Sequence, residues 1–214
     1  MTDPMEAPDR EMIRSVRAQA ADLLGDTVAL RRTLHEWPEL GNELPITRDR
    51  VLESLEGLPL SVTTHESTSG IVALLEGSRP GPTILLRGDM DALPLPEDTG
   101  VDFASHVDGC MHACGHDTHT AMLSSAARVL SDRRDDLAGR VLFMFQPGEE
   151  GHHGARFMLD EGLLDVPALS DGSLSPVDAA FALHITSALP SGWVSGRGGP
   201  VMASADPMLI RVVG

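Results

Sequence analysis

Apolar residues recur at three- and four-residue steps from about residue 10 to residue 37, with Ile13, Val16, Ala20, Leu23, Leu24, Leu30 and Leu34 on one face before Pro38 ends the pattern. That period predicts an amphipathic helix. A second helix is expected over 47–55, ahead of Gly57 and Pro59. The pattern then shortens. Ile71-Val72-Ala73-Leu74-Leu75 and Thr83-Ile84-Leu85-Leu86 are apolar runs split by a Gly- and Pro-rich stretch, which predicts paired strands joined by a turn. A long loop over 89–115 leads to a helix over 118–132, a strand over 141–145, a helix near 154–161 and a strand over 179–183. Alternating helices and near-continuous apolar strands predict an α/β domain, its sheet mostly parallel, buried on both faces and flanked by helices.

This layout places polar residues at strand ends. Asp89 and Asp91 follow the strand at 83–86, Glu149 and Glu150 follow the strand at 141–145, and His184 closes the strand at 179–183. Open α/β sheets bind ligands beyond the carboxyl ends of their strands, so the three sets are expected to meet at one edge.

Composition narrows the classes. Of 214 residues, 42% are apolar, which suffices for a core, but only 3% are aromatic, so aliphatic side chains must fill it. The net charge is −16, and all 16 basic residues are Arg. That charge argues against nucleic acid as a partner, because phosphate binding needs clustered cations. No run approaches the ~18 apolar residues of a membrane-spanning helix. The polar N-terminus has no apolar stretch typical of a signal peptide. Two cysteines are too few for a disulfide framework, so a cytoplasmic, reducing setting is expected.

Candidate chemistry lies in Met111-His112-Ala113-Cys114-Gly115-His116-Asp117 and Gln146-Pro147-Gly148-Glu149-Glu150. Thiol, imidazole and carboxylate together suit zinc or a transition metal, and adjacent acids let one hold metal while the other moves protons. Cys110, His112, Cys114 and His116 do not make a closed site alone. Alternate residues of an extended segment stand about 6.6–7 Å apart, and only Gly115 offers a turn. Cys114 and His116 can converge if further ligands come from elsewhere; otherwise they are a buried thiol and a loop imidazole. Glu149-Glu150 reads either as a solvated turn or as a ligand-and-base pair. His184 reads as readily as a core histidine, and Asp89 and Asp91 either end a strand or orient a ligand imidazole. His152 and His153 read as loop residues, and His35, His65, His106 and His119 join no constellation.

The residues also carry a resemblance. Leu34-His35-Glu36, Pro38-Glu39-Leu40, Arg87-Gly88-Asp89-Met90-Asp91-Ala92-Leu93-Pro94, the two segments above and Ala182-Leu183-His184 occur in this order. Together they resemble the hippurate hydrolase and auxin-conjugate amidohydrolase branch of the di-metal aminoacylase and carboxypeptidase superfamily. The resemblance implies an aminopeptidase-like catalytic domain holding two divalent ions (zinc, manganese, nickel or cobalt) through Cys114, His116, Glu150 and His184. It implies Glu149 as general base and Asp91 as the partner behind the ligands, with Asp89 in a less defined supporting role. The implied reaction is hydrolysis of an N-acyl amino acid, a small-molecule substrate, by a protein that forms a homodimer or larger assembly. A smaller α+β lid and dimerisation domain is expected to begin at 206–214, leaving 1–205 as an incomplete catalytic domain. The final ligand histidine and the clamp for the substrate carboxylate are then expected beyond Gly214. The alternatives are an inactive metal-binding remnant, or a dipeptidase or carboxypeptidase of the same superfamily.

Overall fold

A computed structural model describes residues 10–167, 176–202 and 208–213. Among the described residues, five α-helices and five strands run in the order α1 (Arg10–Asp22), α2 (Leu24–Glu36), α3 (Pro45–Leu55), β1 (Ser61–Thr64), β2 (Ile71–Glu76), β3 (Arg79–Asp89), α4 (His116–Asp132), β4 (Ala138–Gln146), α5 (Gly154–Asp160) and β5 (Val177–Ala182). The helix expected over 10–37 is interrupted at Leu23, just ahead of Gly25, where helix propensity is lowest. β1 is all exposed and escapes a search for apolar runs.

The sheet order is β1-β2-β4-β3-β5. The α/β class stands, but the sheet is mixed: β1–β2 and β2–β4 are antiparallel, whereas β3–β4 and β3–β5 are parallel. The runs at 71–75 and 83–86 are therefore not a hairpin, because β4 lies between them. Glycines make this possible at the crossing. Gly77 N–H donates to the Gly139 carbonyl, and side chains on Gly81 or Gly139 would overlap the neighbouring backbone.

Strand alternation divides the core. Ile71, Ala73, Leu75, Phe143 and Phe145 face α3 and α4, packing with Leu44, Val51, Leu55, Leu123 and Ala127. Val72, Leu74, Leu142 and Met144 face the other side, where Met158 of α5 and Leu163 cover them. β5 departs from the expected burial on both faces: Phe181 is 61% exposed, because no element among the described residues covers that edge strand. Residues 208–213 carry no strand partner among the described residues and are exposed. Residues 206, 207 and 214 of the expected lid strand lie outside the described residues.

The Pro38-Glu39-Leu40 segment has a structural use. The Glu39 carboxylate accepts from the Ile46 and Thr47 N–H groups, serving the start of α3 beside Pro45. Its carbonyl accepts from Ala92 N–H, which ties the start of the long loop to the sheet edge.

Candidate metal centre

The three parallel strands β4, β3 and β5 end side by side, and their C-terminal extensions meet over the N-terminus of α4. Gly115 sets that terminus. At φ 88° it takes a left-handed turn that favours glycine, and it directs Cys114 and His116 into one space. Cys114 Sγ stands 3.4 Å from His184 Nε2. His116 Nε2 stands 3.8 Å from Glu150 Oε1 and 3.9 Å from Glu149 Oε2. Cys114, His116 and His184 form one potential ligand group, and His116, Glu149 and Glu150 form another, sharing His116. All five residues are thus brought together, from the ends of β4 and β5 and the N-terminus of α4.

Hydrogen bonds fix the tautomers. His116 Nδ1 lies 2.8 Å from the Asp91 carbonyl, so it carries the proton and leaves the Nε2 lone pair free. His184 Nδ1 lies 2.5 Å from the Ile185 carbonyl, with the same consequence. His116 Nε2 is fully buried without a hydrogen-bond partner among the described residues. A buried lone pair without a donor suits a metal ligand. Two ligands on a tetrahedral zinc, ~2.3 Å away for sulfur and ~2.0–2.1 Å for nitrogen, stand about 3.5 Å apart, close to the observed Cys114–His184 spacing. The residues present fit a divalent cation.

The carboxylates behind the ligands are organised differently. Asp91 accepts from the Glu149 and Glu150 N–H groups at 2.9 and 3.0 Å through its carboxylate and from His116 through its backbone carbonyl, so one residue positions both the paired acids and His116. Burial opposes its charge, but the His116 bond and the two N–H groups together hold its carboxyl below the ordinary value. Burial likewise opposes ionisation of Asp89, yet its bond to His119 and the charges of His116 and Arg87 lower its pKa to about 2. Burial and the Glu150 carboxylate push the Cys114 thiol up to about 12. A cation must therefore displace that proton to gain the thiolate. For His116, burial lowers the pKa, but Asp91, Asp89 and Glu149 outweigh it and the net shift is upward.

The other members of the cysteine–histidine run point elsewhere. Cys110 is a buried free thiol that donates to the Pro38 carbonyl. His112 is buried away from the ligand group, and burial lowers its pKa to about 4. His35, which sequence reasoning left without a role, bonds Asp117 Oδ2 through Nδ1 at 2.7 Å and approaches Glu97 Oε1 through Nε2 at 3.2 Å. Arg31 Nε adds a 2.8 Å pair to Asp117, the residue next to His116. No local pattern reveals partners so far apart along the chain. His119 was also missed: it binds Asp89 Oδ1 through Nδ1 at 2.6 Å. Its three-residue spacing from His116 on a helix was the available signal.

A family model described as peptidase family M20/M25/M40 matches residues 85–199. The thermostable carboxypeptidase 1 of Saccharolobus solfataricus is 37% identical over 207 residues, covering 95% of this chain and 50% of that protein. The N-acyl-L-amino acid amidohydrolase of Geobacillus stearothermophilus is 38% identical over 190 residues, 88% of this chain and 49% of that protein. Among solved structures, a dinuclear metal-binding peptidase of family M20 from Bacillus subtilis superposes with a TM-score of 0.69 at 39% identity, covering 81% of this chain and 45% of that one. This chain thus spans about half the length of the relatives it matches. No helix among the described residues is long and apolar enough to cross a membrane.

Proposed function

The chain belongs to peptidase family M20/M25/M40, and on that premise we propose that it is the metal-binding part of an amidohydrolase cleaving N-acyl amino acids to a carboxylic acid and a free amino acid. The observation that carries this reading is the convergence of Cys114, His116, Glu149, Glu150 and His184 at one sheet edge, with the His116 Nε2 lone pair buried and unpartnered. The similarity to a protein named N-acyl-L-amino acid amidohydrolase supports the substrate class.

In this reading Cys114, His116, Glu150 and His184 hold two divalent ions, of zinc, manganese, nickel or cobalt. When bound, such ions acidify water from 15.7 towards ~7 and stabilise the negative charge that develops on the carbonyl oxygen. Glu149 is the general base. Its side chain is 42% exposed while its Oε2 lies 3.9 Å from His116 Nε2, so a substrate can reach it beside the ligands. It takes a proton from the attacking water and delivers it to the amine nitrogen as the C–N bond breaks. Asp91 keeps Glu149 and Glu150 in register by binding both of their N–H groups. In this reading residues 1–205 belong to the catalytic domain and 206–214 to the start of a lid and dimerisation domain. The free thiols of Cys110 and Cys114 suit a cytoplasmic, reducing setting.

A carboxypeptidase is the second reading, favoured by the similarity to the Saccharolobus protein. Bound-metal analysis, coupled to assays on N-acetyl and N-benzoyl amino acids and on C-terminally blocked and free peptides, separates the two. Hydrolysis of the acyl amino acids supports the first reading, and cleavage of free peptides alone supports the second. Metal without any turnover would mark a metal-binding remnant, and no metal at all would overturn every version.

A further inference from the structure

His184 is the exposed member of the potential ligand group, and it lies beyond the last residue of β5. Something other than the sheet must place it opposite Cys114. The neighbouring residue supplies the tie: Ile185 N–H donates to His119 Nε2 at 2.9 Å. Because Nε2 accepts there, His119 Nδ1 carries the ring proton and donates it to Asp89 Oδ1 at 2.6 Å. Asp89 is held in turn by Arg87, whose Nη1 lies 2.6 Å from Oδ2. Both nitrogens of His119 are therefore engaged in hydrogen bonds, although its ring also lies within ligand distance of Asp89 and His116. The ring is buried and meets His184 nearly edge-on at 4.7 Å between centroids.

A second, independent contact acts on the same residue. The Ile185 side chain lies against Gly115, where any Cβ would overlap its Cδ1. Gly115 stands between Cys114 and His116. Ile185 is thus seated by its backbone on α4 and by its side chain on the turn that presents the other ligands.

We propose that His119 is a positioning residue whose Nε2, by accepting the Ile185 N–H, holds the His184-bearing segment in register with Cys114 and His116. The metal site is then partly pre-assembled before any ion arrives. The bond to Asp89 is the means of fixing the acceptor tautomer, not the purpose of the residue. This inference rests on reading His184 as a ligand, and the test separates the two.

Three variants divide the functions of the ring. His119→Asn retains a donor near Asp89 but offers nothing to Ile185 N–H. His119→Gln can place an oxygen near the Nε2 position and accept from Ile185. His119→Phe fills the space and makes neither bond. The 214-residue chain is titrated with cobalt(II), following thiolate-to-cobalt absorption, and exchange of the Ile185 amide is measured without metal. The Asn and Phe variants should bind cobalt about 10–100-fold more weakly, with His119→Gln within about threefold of the parent, as losses of groups behind a ligand usually run. Ile185 exchange should accelerate in Asn and Phe but not in Gln. Parental affinity in His119→Asn, or a loss in His119→Gln as large as in His119→Phe, would overturn the proposal. Parental affinity in His184→Ala would instead remove His184 as a ligand, while the Ile185 exchange pattern would still report whether His119 holds the segment.

Discussion

The side of the centre built by β3 and α4 and the side built by the loops after β4 and β5 hold similar ligand atoms by contrasting means. Asp89, Asp91, His116 and His119 are 3% exposed or less, and each is fixed by hydrogen bonds to side chains or backbone from other elements. Glu149, Glu150 and His184 stand on loops, with Glu149 and Glu150 side chains 42% and 26% exposed. The buried side supplies precision; the open side supplies the groups that must meet water and substrate. Hydrogen bonds tie the two sides together, among them those from Asp91 to the Glu149 and Glu150 N–H groups and from His119 to Ile185 N–H. Reactive residues belong on loops, but loops make precise sites only when a rigid scaffold anchors them.

Substitutions that strike one side alone sharpen the contrast. Glu149→Ala removes the base from the open side without touching the buried one. Turnover of an N-acyl amino acid should fall by about 10²–10⁴-fold, with metal content and melting temperature close to the parent's. Near-normal turnover would remove Glu149 as the base. Asp117→Ala strikes the buried side, leaving His35 and Arg31 without their shared carboxylate. Breaking such a buried pair should cost ~3–5 kcal/mol in urea unfolding, and a loss below about 1 kcal/mol would show that the network does not hold the start of α4.

Acid should separate the two sides as well. The pKa of Asp89 falls from 3.8 to about 2 on folding, so the stability it lends is present above its unfolded value and is lost as pH falls through the folded one. That shift corresponds to about 2 kcal/mol. Unfolding free energy should therefore drop between about pH 4 and pH 2, and less steeply in Asp89→Asn. An identical slope in the variant would contradict the assignment. At the surface, Arg50→Ala breaks only the exposed pair with Glu53. It should change stability by less than about 1 kcal/mol.

Much of the open side was legible in the sequence, since Glu149, Glu150 and His184 each follow an apolar strand and strand ends are where such sheets bind ligands. The α/β class was legible for the same reason. The pairing of the strands was not: an apolar run is the same whether its neighbour is parallel or antiparallel, and nothing local announces that β4 enters between β2 and β3. The buried side was the less legible half. Asp117 with His35, 82 positions apart, and Asp89 with His119, 30 apart, are partners only once α4 lies against α2 and β3. His119 alone left a trace, its spacing from His116 on one helix face.

The central claim is that Cys114 and His184, from opposite sides of the centre, share one cation. X-ray absorption at the zinc edge of the zinc-loaded chain tests it most directly. The account predicts one sulfur at ~2.3 Å among nitrogen and oxygen ligands at ~2.0–2.1 Å, with the sulfur absent in Cys114→Ser and one imidazole fewer in His184→Ala. A shell of oxygen and nitrogen alone in the parent, or a spectrum unchanged by both substitutions, would contradict it.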